Sequence, residues 1–102
     1  MKELANADHL LIRKLTDIIL ANLENEKFDV KQLVQQSGFS LYQINKNLNS
    51  LKGKRVSRFI RDVRLEAAME MLKNETHTVS EISYRVGFSS PAYFISCFHD
   101  EL

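Results

Sequence analysis

The chain has 102 residues, 44% hydrophobic and 26% charged, with a formal net charge of +1, which suits one domain or two small subdomains sharing a connector and excludes a disordered segment. Its longest apolar runs, residues 10–12 and 18–21, are too short for a membrane span or a signal-peptide core. The single Cys97 excludes an internal disulfide, and His9, His77 and His99 lie in no cluster with metal-ligand spacing, so no catalytic residue, metal or cofactor is expected.

The net charge hides an uneven distribution. Residues 1–38 sum to −1, residues 39–73 to +5 and residues 74–102 to −3. Lys46, Lys52, Lys54, Arg55, Arg58, Arg61, Arg64 and Lys73 make up the positive block, where a phosphate-facing surface is expected.

With one proline, three glycines and no sustained alternation of apolar and polar residues, the chain reads as all-α. Asp8 is suited to cap a packing helix over residues 8–24, with Leu11, Ile12, Leu15, Ile18, Ile19 and Leu23 as its apolar stripe. Asp29 caps a second helix running to about Ser37. Gly38 then turns the chain into a third, about Leu41 to Ser50, so that residues 29–50 form a helix-turn-helix.

Gly53 ends that unit, and Ser57 is placed to cap a linking helix over residues 57–73. Its apolar positions divide between two sides, Phe59, Val63 and Ala67 on one and Leu65, Ala68, Met69 and Leu72 on the other. Such a helix, roughly 25 Å long at 1.5 Å per residue, has two things to pack against. Thr78 caps a fifth helix, and Gly87 leads to a sixth that begins near Pro91, where a missing amide is harmless.

The last unit, residues 78–102, repeats the first. Val30, Leu33, Gly38, Phe39 and Ser40 recur as Val79, Ile82, Gly87, Phe88 and Ser89, 49 positions on. In each copy an apolar pair shares one helical face, a glycine able to adopt positive φ ends the helix, and a serine two residues later is suited to cap the next one. The second helix of such a unit fits the DNA major groove.

These elements resemble the DNA-binding domain of the AraC/XylS family of bacterial transcription regulators. The resemblance covers about residues 28–102 and is carried most specifically by Val79-Ser-Glu-Ile82, Val86-Gly87-Phe88-Ser-Ser-Pro91-Ala-Tyr93-Phe94, Phe98 and the linking stretch Arg61–Leu72. It implies two helix-turn-helix subdomains joined by a long helix, with the first helix as an additional packing element.

It also implies sequence-specific binding of double-stranded DNA, in a bacterial cytoplasmic regulator that has RNA polymerase as a further partner and an upstream sensory or receiver domain, with self-association supplied by the longer protein. By the same resemblance the chain stops within or just after its last helix. The terminal His99-Asp100-Glu101-Leu102 is therefore read as helix rather than as an endoplasmic-reticulum retention signal, which needs a secretory segment.

Carried over by position, the resemblance places Tyr42, Gln43, Asn45, Lys46 and Asn47 against base edges in the first reading helix, and Ala92, Tyr93 and Ser96 in the second. Asparagine pairs with adenine, lysine donates to guanine, and tyrosine touches a thymine methyl or a phosphate. Ile44, Leu48, Phe94 and Phe98 belong to the core. Phosphate contacts fall to Ser40, Lys52, Lys54, Arg55, Arg58, Arg61, Ser89 and Ser90, while for Arg58, Arg61 and Arg64 a local ion pair such as Arg58 with Asp62 competes. The second reader, in an acidic third of the chain, is expected to add less affinity than the first. An alternative reading keeps the fold but turns the basic linking helix toward an acidic protein partner.

Overall fold

A computed structural model describes the backbone of residues 2–74 and 77–101 and the side chains of residues 8–74 and 77–100. These residues form six helices: α1 (Lys2–Ala21), α2 (Val30–Ser37), α3 (Leu41–Lys52), α4 (Val56–Asn74), α5 (Val79–Arg85) and α6 (Pro91–Glu101). The segment expected to close the linking helix includes Glu75 and Thr76, which, like Leu102, lie outside the described residues.

Local chemistry sets most of the boundaries. Asp29 accepts from the Gln32 amide at 3.0 Å to cap α2. Ser40 with Gln43, and Thr78 with Glu81, form reciprocal capping boxes that satisfy otherwise unpaired amides at the starts of α3 and α5. Gly38, Gly53 and Gly87 all have positive φ, as their positions after helices require.

Four boundaries differ from the sequence reading. Helix α1 begins well before Asp8, which is no cap, because Lys2, Glu3, Leu4, Ala5 and Ala7 carry no stop signal. It also ends earlier, at Ala21, where the Asn22 carboxamide donates to the Ile18 carbonyl at 2.8 Å. Ser57 lies inside α4 rather than capping it. The Val56 amide at the head of that helix instead donates to Asn45 Oδ1 of α3 at 3.2 Å. In the second repeat Ser90, not Ser89, accepts from the Tyr93 amide at 3.2 Å.

Two apolar clusters make up the core. The first gathers Leu11, Leu15 and Ile19 of α1 with Phe28, Leu33, Ile44, Leu48 and the early α4 residues Val56, Phe59, Ile60 and Val63. The second gathers Leu65 and Ala68 of α4 with Ile82, Val86, Phe88, Phe94 and Cys97, and Ala67, Met71, Leu72 and Phe98 pack against it. Cys97 is thus a buried small hydrophobe.

The division of α4 therefore runs along the helix rather than around it. Residues up to Val63 serve the first unit and residues from Leu65 onward the second. Ala67 accordingly joins the second cluster and Met69 is exposed, both against the two-sided reading. Val79 is also exposed, so the apolar pair repeated from α2 is not buried to the same depth in α5. Leu23, the last residue of the α1 stripe, crosses to the second cluster and ties the end of the packing helix to both units.

Candidate nucleic-acid interface

Helix α3 buries Ile44 and Leu48 completely and presents the opposite side to solvent. Tyr42 is 73% exposed; Gln43 and Lys46 are also exposed, and Asn45 and Asn47 are half-buried. A groove on one flank of the helix brings together Tyr42, Asn45 and Lys46 with Lys54 and Arg55 from the loop before α4. On the other flank Gln43, Lys46 and Asn47 face Lys14 of α1, whose ammonium sits 5.1 Å from the centroid of the Phe39 ring. Lys46 lines both grooves and so stands on the crest of the exposed face.

Not every side chain assigned to bases is equally available. Gln43 Oε1 accepts from the Ser40 amide at 3.1 Å, and Asn45 uses its carbonyl oxygen to hold the head of α4. Both therefore shape the loops around α3. Tyr42, Gln43 and Lys46 are the exposed members of the set.

Among the residues assigned to phosphates, Lys52 and Arg55 are exposed. Lys54 pairs with Asp62, which also takes Arg58 Nε at 3.3 Å. The Arg58–Asp62 pair is the one read from the sequence. Arg61 lines a groove between the two units together with Ser89 and Tyr93. Ser40 and Ser90 are helix caps, and Ser89 is exposed beside Ser90.

The two turns are not superposable copies. Gly38 and Phe39 match Gly87 and Phe88 at a spacing of 49, whereas the caps Ser40 and Ser90 match at a spacing of 50. Ser89 is the additional residue, and one inserted residue rotates a helix by about 100°. The structure therefore aligns Ile44 with Phe94, both buried, and Tyr42, Gln43 and Lys46 with Ala92, Tyr93 and Ser96, all exposed. Phe88 meets Tyr93 at 5.5 Å and Phe94 at 5.2 Å between ring centroids, so the base of Tyr93 is braced against the core. The second reading face is consequently small and uncharged, bounded by Ile95 and His99.

Arg64 has a role that spacing did not reveal. Only 6% exposed, it donates through Nη2 to the carbonyls of Asn25 and Phe28 at 3.1 and 3.2 Å, and through Nη1 to those of Val86 and Gly87. Burial lowers its pKa from the ordinary value, but arginine keeps its proton under any condition the fold meets. The charge is met by carbonyl dipoles. One signal was present in the sequence: Arg64 stands four residues from both Ile60 and Ala68, on the apolar ladder of α4.

Among the described residues no helix is long and apolar enough to cross a membrane, and no three His, Cys, Asp or Glu side chains gather as a metal site.

Residues 33–102 match the family described as Helix-turn-helix domain. The chain is 34% identical over 95 residues to Histidine kinase P4 of Formosa agariphila, covering 93% of this chain and 7% of the kinase. It is 28% identical over 88 residues to the HTH-type transcriptional activator RhaS of Shigella boydii, covering 83% of this chain and 32% of that protein. It therefore spans less than a third of the length of these relatives.

A transcriptional regulator from Chromobacterium violaceum, described as having an AraC-type DNA-binding domain, shares the fold with a TM-score of 0.80 at 21% identity, covering 94% of this chain and 85% of that one. A probable AraC family regulator from Rhodopseudomonas palustris gives a TM-score of 0.69 at 24% identity, covering 90% and 86%. The repeated helix-turn-helix, the linking α4 and these matches together show that the chain belongs to the AraC-type helix-turn-helix family of DNA-binding transcription regulators.

Proposed function

We propose that this chain binds double-stranded DNA sequence-specifically by laying α3 and α6 in successive major-groove segments on one face of the duplex. The observation that carries this is the exposed crest of α3, where Tyr42 and Lys46 project beside a groove holding Lys54 and Arg55. A lysine on the crest is suited to a guanine edge and the flanking cations to phosphates.

In this reading the halves are unequal. Tyr42 and Lys46, with Gln43 and Asn47 at the edge of the crest, read bases. Asn45, committed through its oxygen to Val56, chiefly sets the pose of α3. Lys52, Lys54, Arg55, Arg58 and Arg61, with Ser40, Ser89 and Ser90 at the helix starts, hold phosphates. Ala92, Tyr93 and Ser96 offer α6 a methyl group, an aromatic edge and a hydroxyl, enough for shape and thymine-methyl contact but for little electrostatic affinity.

The small share of its relatives' length that the chain spans supports a further reading, that it is the output module of a longer, cytoplasmic, signal-responsive bacterial regulator. Contact with RNA polymerase and self-association belong to that longer protein.

The test is selection of bound sequences from a random duplex pool, followed by affinity for the winning and scrambled duplexes at two salt concentrations. Two short blocks one turn apart, with affinity falling steeply as salt rises, are expected. A single block would confine α6 to positioning. No enrichment would overturn the DNA reading in favour of an acidic protein partner for the basic surface.

A further inference from the structure

Arg64 sits where α4 passes from one apolar cluster to the other. Its two terminal nitrogens divide between the units. Nη2 takes the carbonyls of Asn25 and Phe28, in the loop that leads into the first helix-turn-helix, and Nη1 takes those of Val86 and Gly87, in the turn that leads into α6. The planar guanidinium fixes the angle between these sets of bonds, which a flexible point charge cannot do.

The neighbouring atoms leave little slack. A Cβ on Gly87 would overlap the Arg64 guanidinium and the Leu23 carbonyl, so the α5–α6 turn is seated directly on the loop after α1. Besides the continuous rod of α4, the crossing of Leu23 and this guanidinium joint connect the second unit to the first.

We infer that Arg64 is the positioning residue that sets the distance and rotation between the two reading helices, and thereby selects the spacing between the two blocks of the DNA site. This rests on the two-reader function proposed above. Arg64 is buried and touches no base. Its contribution is to specificity for geometry rather than for letters: a rigid joint makes the protein measure the interval between blocks, and a loose joint lets each reader find its block independently. One inserted base pair moves a block by about 3.4 Å and turns it by roughly 35°, a displacement a locked pair of readers cannot follow.

The experiment compares the wild-type chain with Arg64→Lys and Arg64→Met on duplexes carrying the selected site with zero, one or two base pairs inserted between the blocks. Wild type should lose at least about tenfold in affinity for one inserted pair. Arg64→Met should bind the native spacing more weakly and lose less than about threefold further on insertion, with Arg64→Lys between the two because its single nitrogen cannot span both loops.

Circular dichroism establishes that each variant is helical. Should Arg64→Met fail to fold, Arg64→Lys carries the test, together with the distance between spin labels at Gln43→Cys and Ser96→Cys in a Cys97→Ser background, which should broaden when Arg64 is replaced. A folded variant that keeps both the wild-type insertion penalty and a narrow distance distribution overturns the inference while leaving two-reader binding intact. A wild-type protein indifferent to insertion overturns the two-reader reading and the inference with it.

Discussion

Gly38→Ala and Gly87→Ala place the same methyl group at equivalent turns, and the structure makes their costs very different. Both glycines have positive φ, +78° and +86°, so each alanine carries a left-handed penalty of about 1–2 kcal/mol. Around Gly38 nothing lies within 4 Å of the added Cβ, and the penalty should end there.

At Gly87 the new Cβ would lie 2.6 Å from Arg64 Cζ and overlap Nη1 and the Leu23 carbonyl. The guanidinium must leave its carbonyl partners or the α5–α6 turn must lift away. Separating a buried charge from its partners costs about 3–5 kcal/mol, so Gly87→Ala should cost about 4–7 kcal/mol against 1–2 for Gly38→Ala. Set against a typical total stability of about 5–15 kcal/mol, that leaves the domain near its threshold.

Urea unfolding followed by circular dichroism measures both changes. In an Arg64→Met background the difference between the two glycines should shrink by about 2 kcal/mol or more, because the shorter apolar side chain yields to the Cβ and only the Leu23 carbonyl resists. Equal costs for the two alanines, within about 0.5 kcal/mol, would refute the account of Arg64 as a tightly seated joint.

Three further outcomes are expected. Lys46→Ala should weaken binding and change the preferred base at one position, whereas Lys54→Ala should weaken all sequences alike and reduce the salt slope by about one unit or less, since Lys54 already pairs with Asp62; competitive binding with single-base variants of the site separates the two. Hydrogen bonds from the Thr78 side chain and amide, with His77 nearby, hold the Glu81 carboxyl below the usual carboxylate range. Its contribution is therefore present above the ordinary glutamate pKa and lost as pH falls through the lowered value, so the stability difference between wild type and Glu81→Gln measured by urea unfolding should narrow on acidification from pH 6 to pH 3. Cys97, 4% exposed in the second cluster, should react with a thiol reagent only as fast as that unit opens, and labelling at the rate of a free thiol in native buffer would contradict its burial.

The legible parts of this fold are those written in neighbouring residues. Asp29, Ser40 and Thr78 cap helices through atoms three positions away, and Gly38 and Gly87 mark turns whose positive φ favours glycine, so a local reading finds them. Ser89 and Ser90 defeat such a reading because either serine is chemically able to cap, and the Tyr93 amide donates to the second. The resemblance places Asn45 at a base by position, but nothing local shows that its carbonyl oxygen also accepts from the Val56 amide, eleven residues on and across a loop.

Arg64 is the extreme case. Its acceptors lie 22, 23, 36 and 39 residues away and are main-chain carbonyls, which every residue possesses and no side chain advertises. The exposed face of α3 was more accessible to reasoning, since Ile44 and Leu48 fix the buried side and the remaining positions follow from helical geometry.

That joint has an evolutionary corollary. Its acceptors are main-chain carbonyls of Asn25, Phe28, Val86 and Gly87, none of them on a reading face, so Lys46 on α3 and Ala92 and Ser96 on α6 can change without touching it. Selection on what each helix reads is thereby uncoupled from selection on how far apart the helices stand. The two halves of this domain are built to change their vocabulary separately while keeping one common ruler.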